Sequence, residues 1–278
     1  QTKTTFQLGP TLNARDHAML VRALKDNGIA SRHDRDASTF TIHAGERPST
    51  ATLDARDHKT SQVASAFLLL ERLGIEVDLQ VDGVASLPYF DMTRSMLDAA
   101  ELVVDSDASS HAFWIIANTC GADVAILNPP AMGRQSDAMI GELLRSALSD
   151  GEVSLRQSPD LAPVLAAWAV IHDVELKISD ASHLRNKESD RISDLARSLR
   201  SVGIDVNEHP DGFTICGGEL TEGTFKTYGD HRLVMCAALL ATQQTLVVDD
   251  AGCVSKSYPR FWQDLRRAGW RVNYTYDR

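Results

Sequence analysis

Within "HLRNKESDRI" (His183–Ile192), Arg185, Lys187, Glu188, Asp190 and Arg191 crowd both signs of charge into one short run. Such a run can simply pair with itself at a helix start, contributing a few tenths of a kcal/mol per pair. Two other places favour chemistry. "GDHR" puts His231 and Arg232 at the mouth of an apolar helix, and "CVSKSYP" sets Lys256 just before an amphipathic one. Each basic residue falls in a loop between a strand and a helix, where α/β sheets bind ligands. Arg191, Arg232 and Lys256 together are suited to hold a phosphate or a carboxylate. Glu188 and Asp160 are suited to move protons beside it.

The elements that must position these residues alternate along the chain. One helix type is nearly all apolar and leads into a strand, in "SQVASAFLLLERLGIEVDL" from Ser61, "SHAFWIIANTCGADVAIL" from Ser110, "DLAPVLAAWAVIHDVELKI" from Asp160 and "HRLVMCAALLATQQTLVV" from His231. The other is amphipathic, from His17, Tyr89, Asp137, Ser189 and Tyr258. In the helix from Ser189, Ile192, Leu195, Leu199 and Val202 form one stripe at helical spacing. The charged run should therefore occupy its first turn. Gly28, Gly203 and Gly269 read as helix stops before strands. Hairpin patterns follow in "DASTFTIHAG" and "PDGFTICGG". An all-apolar helix demands burial on every side. The unit is thus helix, strand, helix, strand with an added hairpin, repeated with internal pseudo-symmetry, and the class is α/β. Phe113, Trp114 and Trp168 are expected in the core. "VVDSDASS" near Val104–Asp107 reads as a hinge, dividing the chain into 1–104 and 105–278.

Each apolar helix is preceded by polar residues: "DHKTSQ", "DSDASSH", "QSPDLAP" and "TYGDHR". Taken singly these are caps for unpaired N–H groups. Gathered on common edges, helix N-termini make an anion site. The net charge of −10 argues against a nucleic-acid partner. No run of about 18 apolar residues suggests a membrane span, and no signal peptide is recognisable. Cys120, Cys216, Cys236 and Cys253 lack the spacing of a zinc site, and the expectation is reduced cysteines in a cytoplasmic protein.

Seven segments in order resemble the 5-enolpyruvylshikimate-3-phosphate synthase (3-phosphoshikimate 1-carboxyvinyltransferase) family. "LRNKESDRI" resembles its L-R-x-K-E-[ST]-D-R-[IL] signature, "YGDHRLVMC" its D-H-R-x-x-M element, and "CVSKSYPRFWQDL" its C-x-x-K-[ST]-[FY]-P segment. "KTSQVASAFLL", "VASLPYFDMT", "DSDASSHAFWIIA" and "SPDLAPVLAAWA" resemble four further family segments. The resemblance implies two domains of repeated β-α-β-α-β-β units with ligands in the cleft between. It implies transfer of the enolpyruvyl group of phosphoenolpyruvate to the 5-hydroxyl of shikimate 3-phosphate, by addition and elimination, with no metal or organic cofactor. Asp160 would take the hydroxyl proton, Glu188 would serve the methylene end of the enol, and His231 would lie near the reacting centre. Arg191, Arg232, Lys256 and Gln62 would bind phosphoenolpyruvate. Thr60, Ser61, Gln62, Ser86, Tyr89, Asp160 and Lys187 would hold shikimate 3-phosphate.

The chain also departs from the family. Thr11 stands where the family has an Arg after its G-x-P turn, and Leu87 where it has the Lys of S-K-P. The family's first strand and its N-A-G-T-x-x-R loop have no counterpart. The match starts near "FQLGPTLNARDH", which resembles a stretch in the second repeat, and the family is longer by roughly a domain's worth of sequence, so the N-terminal domain is expected to be incomplete. Three readings follow. The chain is an enolpyruvyl transferase; or a non-catalytic binding or regulatory protein that holds shikimate phosphate or another anion; or a transferase for another acceptor such as a nucleotide sugar. The K-E-S-D-R run favours the first over the third.

Overall fold

A computed structural model describes residues 3–43, 45–99 and 104–273, except for the side chain of Thr11. The chain forms two compact units, Gln1–Leu102 and Val103–Arg278.

The first unit opens with β1 (Lys3–Gln7), α1 (Pro10–Ala14), α2 (Ala18–Asp26), β2 (Ser31–Asp34) and β3 (Thr39–His43). The three strands form an antiparallel sheet in the order β1-β3-β2. The β2–β3 hairpin is the one expected from "DASTFTIHAG". Its turn places Ser38 at φ 52, and the Asp34 side chain accepts from Ala37 N at 3.0 Å. β4 (Thr50–Asp54), α3 (Gln62–Glu71), β5 (Glu76–Gln80) and α4 (Leu87–Asp98) follow, with β4 and β5 parallel. A parallel pair needs a crossover, and α3 supplies it. The apolar run of α3 calls for burial all round, but the helix packs chiefly on β4, β5 and α4. Leu69 and Leu73 on its other side are 51% and 61% exposed.

The second unit contains α5 (Ala108–Thr119), α6 (Ile140–Asp150), β6 (Glu152–Ser154), α7 (Ala162–Ile171), β7 (Leu176–Ser179), α8 (Ser193–Arg200), β8 (Ile204–His209) and β9 (Gly212–Gly218). β10 (Gly223–Phe225), α9 (His231–Leu240), β11 (Leu246–Val248) and α10 (Phe261–Arg267) complete it. Three apolar helices, α5, α7 and α9, pack on one another at its centre, and Phe113, Trp114 and Trp168 are buried there. Each such side chain removed from water stabilises by about 1.5–3 kcal/mol. The segment β6-α7-β7-α8-β8-β9 has the expected β-α-β-α-β-β order, and its strands form one sheet, β6-β7-β9-β8. The runs β4-α3-β5-α4 and β10-α9-β11-α10 repeat its first four elements. The architecture is an α/β fold with mixed sheets.

The amphipathic helices behave as read. α8 buries Leu195 and Leu199 and stops at Gly203, whose φ is 92. The α-carbon of Gly203 faces the Glu219 carbonyl so closely that a β-carbon would overlap it. Two expected strands are missing. Residues 122–127 ("ADVAIL") form no strand, and Ala122, Val124 and Ile126 pack on the core. No described strand pairs with them; instead the Asn118 amide bonds both Val124 backbone groups, at 2.9 and 3.0 Å. After Gly269, residues 270–273 are likewise not a strand, and 274–278 lie outside the described residues. The hinge expected at Val104–Asp107 adjoins residues 100–103, which also lie outside them.

Candidate active site

The charged run is not the first turn of α8. Arg185 lies within a 3-10 turn at Ser182–Asn186, and Lys187 to Arg191 lie between that turn and Ser193. The members of the run divide into two sets. Asp190 is the true cap: its Oδ1 accepts from Ile192 N at 3.2 Å and Ser193 N at 3.1 Å. Arg185 donates to Asp190, to Glu208 and to the carbonyls of His209 and Pro210, tying the loop to the β8–β9 hairpin. Lys187, Glu188 and Arg191 turn the other way, onto the starts of α7 and α9.

Arg191 is the hub. Its side chain is 1% exposed and contacts three carboxylates. Nε donates to Asp230 Oδ2 at 2.6 Å and Nη2 to Asp230 Oδ1 at 3.2 Å. Nη1 donates to Asp160 Oδ1 at 2.7 Å, and Nη2 also to Glu188 Oε2 at 3.0 Å. A guanidinium fork suits such sharing because its donors are fixed in one plane. Asp230 is itself fully buried. It caps α9 by accepting from Arg232 N at 2.9 Å, and Ser189 Oγ donates to it at 3.1 Å.

Asp160 sits in the short turn Pro159–Leu161 that leads into α7. Besides Arg191 it meets Lys187 Nζ and Arg232 Nη2, each at 3.5 Å. Burial pushes its proton affinity up, but Arg191, Lys187 and Arg232 outweigh burial and hold it well below the usual carboxylate range. Glu188 accepts from Lys256 Nζ at 2.9 Å, at the end of the turn Ala251–Lys256. Burial opposes, yet Arg191 and Lys256 hold Glu188 down at about 2. Lys256 remains half exposed. His231 opens α9 with Nδ1 at 3.8 Å from Asp230 Oδ1 and no hydrogen-bond partner for that atom among the described residues. Burial and then Arg232 push it down to about 4, so the ring is neutral at neutral pH. Arg232 is buried, and its Nε also lacks a partner among the described residues.

Seven sequence candidates therefore converge in the second unit: Asp160, Lys187, Glu188, Arg191, His231, Arg232 and Lys256. They form alternating acids and bases around a buried arginine. Fixed charges in a partly dried site are suited to stabilise charge that develops on a small anionic reactant. The remaining candidates belong to the first unit. Thr60 Oγ1 accepts from Gln62 N at 3.3 Å, and Ser61 precedes the first residue of α3 without a side-chain capping bond. Ser86 precedes α4 in the left-handed region, φ 61, with no side-chain capping bond, and Tyr89 lies one turn on. Ala85 N donates to His58 O at 3.2 Å, which brings the two helix starts together.

Sequence reasoning missed two acids. Asp230 was visible only as a polar residue before an apolar helix. Asp137 was placed at the start of an amphipathic helix; it is 1% exposed and accepts from Ser109 Oγ. The signal for Asp137 was weak, since an Asp at a helix start is ordinary. Among the described residues no group of His, Cys, Asp and Glu is arranged to hold a metal ion. No described helix is long and apolar enough to cross a membrane.

The sequence pattern of EPSP synthase (3-phosphoshikimate 1-carboxyvinyltransferase) matches residues 131–265. The chain is 30% identical to the 3-phosphoshikimate 1-carboxyvinyltransferase of Methanopyrus kandleri, over 97% of this chain and 74% of the relative. It is 29% identical to that of Methanocorpusculum labreanum, over 96% and 73%. Its fold is similar to an EPSP synthase structure from Acinetobacter baumannii, TM-score 0.69 at 17% identity, covering 99% of this chain and 76% of that one. It is also similar in fold to the enolpyruvyl transferase NikO from Streptomyces tendae, TM-score 0.65 at 16% identity, covering 98% and 74%. This family relationship supports an enzyme of the enolpyruvyl-transferring type. The chain belongs to the EPSP synthase (3-phosphoshikimate 1-carboxyvinyltransferase) family.

Proposed function

We propose that the protein transfers the enolpyruvyl group of phosphoenolpyruvate to the 5-hydroxyl of shikimate 3-phosphate. The observation that carries this reading is the pair of carboxylates, Asp160 and Glu188, held on opposite arms of one buried arginine. Addition requires two proton movements: one off the acceptor hydroxyl and one onto the methylene carbon of the enol. Asp160 takes the first and Glu188 supplies the second. A tetrahedral intermediate forms, and loss of inorganic phosphate with return of the methyl proton to a base gives the enol ether. Arg232, Lys256 and Arg191 face the phosphate and carboxylate of phosphoenolpyruvate. Thr60, Ser61, Gln62, Ser86, Tyr89 and Lys187 serve the acceptor's ring and phosphate, with Gln62 shared between the ligands.

The ionisation of the free protein fits a substrate-triggered mechanism. Both carboxylates are held anionic by neighbouring cations, so neither can donate a proton at neutral pH. An arriving trianion brings negative charge beside Glu188 and draws Lys256 onto itself. Both effects raise the proton affinity of Glu188, so the acid forms where and when the enol is bound.

The test is phosphate release from phosphoenolpyruvate with shikimate 3-phosphate. Turnover that falls at least about a hundredfold in Asp160→Asn and Glu188→Ala supports the reading. The second reading, binding without turnover, draws on Thr11 and Leu87, which replace cationic family positions. Calorimetric binding of shikimate 3-phosphate with no phosphate release selects it. Failure to bind either ligand removes both.

A further inference from the structure

Arg232 and Lys256 are carried by neighbouring loops, and one side chain joins those loops. β10 and β11 run parallel, with Phe225 paired to Val248 at their ends. The chain after Phe225 leads through Thr227 to Asp230 and α9, and so to Arg232. The chain after Val248 leads through Asp249 and Asp250 to the turn Ala251–Lys256, and α9 packs on that turn. Asp249 reaches across the gap. Its Oδ1 accepts from Thr227 N at 2.6 Å and from Thr227 Oγ1 at 2.9 Å. Asp249 is exposed but Thr227 is fully buried, so without the carboxylate two buried donors lose this acceptor.

Short steps connect this contact to both cations. Thr227 O accepts from Asp230 N at 2.8 Å, and Asp230 caps α9 at Arg232 N. On the other side, Asp250 O accepts from Cys253 N at 3.2 Å, inside the turn that ends at Lys256. Trp262 Nε1 donates to Ala251 O at 2.9 Å and holds the start of that turn. A second tie between the loops is the charge chain Lys256–Glu188–Arg191–Asp230. That chain uses the Lys256 ammonium itself. A bound anion that draws Lys256 off Glu188 opens it and leaves Asp249 on Thr227 in place.

We propose that Asp249 is a positioning residue: by gripping Thr227 it fixes the loop of Lys256 against the loop of Arg232, so that the two cations stay spaced for phosphoenolpyruvate after Lys256 has left Glu188; the proposal rests on the enolpyruvyl-transfer reading. Asp249 acts through those cations and needs no contact with either ligand. The demand is geometric, because charge-assisted hydrogen bonds to a small anion weaken when a donor is displaced. A misplacement of about 1 Å can cost about a hundredfold in rate. The charge of Asp249 is not itself required. One oxygen accepts both bonds, and the amide oxygen of an asparagine can do the same.

The experiment compares Asp249→Ala, Asp249→Asn, Thr227→Val and Thr227→Ser in the full chain, below the melting temperature of each. The first readout is phosphate release over ranges of both substrates. Asp249→Ala should raise KM for phosphoenolpyruvate about tenfold or more, with KM for shikimate 3-phosphate within about twofold. Thr227→Val keeps the backbone bond and loses those of the hydroxyl, so it should shift the same constant by less. Asp249→Asn and Thr227→Ser keep both bonds and should restore KM for phosphoenolpyruvate to within about threefold of wild type. The second readout needs no turnover. It is the Nζ resonance of Lys256 in protein carrying isotope-labelled lysine, whose bond to Glu188 slows exchange of the ammonium protons with water. A loosened turn lets the ammonium leave Glu188 more often, so Asp249→Ala should broaden the resonance and Asp249→Asn should not.

A scaffold role lowers kcat through loss of active protein and leaves both KM values in place. That result in Asp249→Ala, or a rise of both KM values together, overturns the proposal. Asp249→Asn as impaired as Asp249→Ala overturns it too, since charge rather than placement would then be at work. If wild type releases no phosphate, the enolpyruvyl-transfer reading falls and the Lys256 resonance decides alone. Broadened in Asp249→Ala, it keeps Asp249 as the residue that places Lys256; unchanged in Asp249→Ala and Thr227→Val, it removes Asp249 from that role.

Discussion

Arg191 and Asp230 stand 39 residues apart in sequence and meet in a two-point contact, Nε–Oδ2 at 2.6 Å and Nη2–Oδ1 at 3.2 Å. Both side chains are essentially out of water. Their pairing ties the loop before α8 to the cap of α9, and so sets where Asp160 and Glu188 stand. Removing one partner of a buried pair strands the other charge, at a cost of about 3–5 kcal/mol. Asp230→Ala should therefore lower the free energy of urea unfolding by about that amount, with lost capping of α9 included. Arg191→Lys keeps the charge but cannot span three carboxylates, and should cost nearly as much. A change under about 1 kcal/mol in both would show that the pair is not a structural anchor.

Acid should weaken the fold through its buried histidines, against the opposing contribution of Asp137, whose burial raises its proton affinity to about 6. Burial, Lys187 and Arg156 push His183 down to about 4, and burial with Arg232 lowers His231. For a group whose folded proton affinity is depressed, the folded state is favoured above the unfolded pKa and loses that advantage as pH falls toward the folded pKa. The window is thus from about 6.5 down to about 4. His183 alone accounts for up to about 3 kcal/mol across it. Unfolding free energy measured from pH 7 to 4 should fall in wild type, and His183→Gln should flatten that slope. An identical slope in the variant counts against the buried neutral ring.

How much of this was legible beforehand follows from the range of each interaction. The helices were legible because a stripe such as Leu195 and Leu199 is local information, and α8 carries it in one short run. The hairpin turns were legible for the same reason. The absence of a strand at 122–127 was not: alternation describes the segment's two faces, while a strand exists only if another backbone pairs with it. Site residue types were visible as charges in strand–helix loops. Their partners were not, since Arg191 reaches Asp160 and Asp230 across 31 and 39 residues. Reading the run as a self-paired helix start held for Asp190, which caps α8, and only in part for Arg191, which pairs with Glu188 but also reaches Asp160 and Asp230, a division set by which way the loop turns.

The tight turn at Gly203 offers a purely conformational prediction. Its φ of 92 is unfavourable for any residue with a β-carbon, and the Glu219 carbonyl occupies the space that carbon would need. Gly203→Ala should destabilise by more than about 1 kcal/mol, the usual cost of a side chain in this region being compounded by the overlap. Gly121→Ala is a fair control, with φ also positive at 92 but no heavy atom within 4 Å of the added carbon. Thermal unfolding of the two variants separates backbone strain from steric overlap; equal melting temperatures would remove the second.

Lys256 separates binding from stability most cleanly. Its ammonium bonds Glu188 at 2.9 Å, yet the side chain is 50% exposed. An ion pair that open to solvent contributes about 0–1 kcal/mol to folding, so Lys256→Met should unfold within a few degrees of wild type. Its effect on a bound anion should be larger, because a charge-assisted hydrogen bond to a ligand is worth about 1.5–3 kcal/mol. The KM for phosphoenolpyruvate should rise roughly tenfold to a hundredfold, while that for shikimate 3-phosphate changes little. Glu188 should also bind its proton more tightly once the lysine is gone, since Lys256 is one of the two cations that hold it down at about 2. Steady-state phosphate release over a range of phosphoenolpyruvate concentrations, beside a thermal melt, reads both. A variant that melts far below wild type while binding phosphoenolpyruvate normally would place Lys256 in the scaffold and take it out of the anion site.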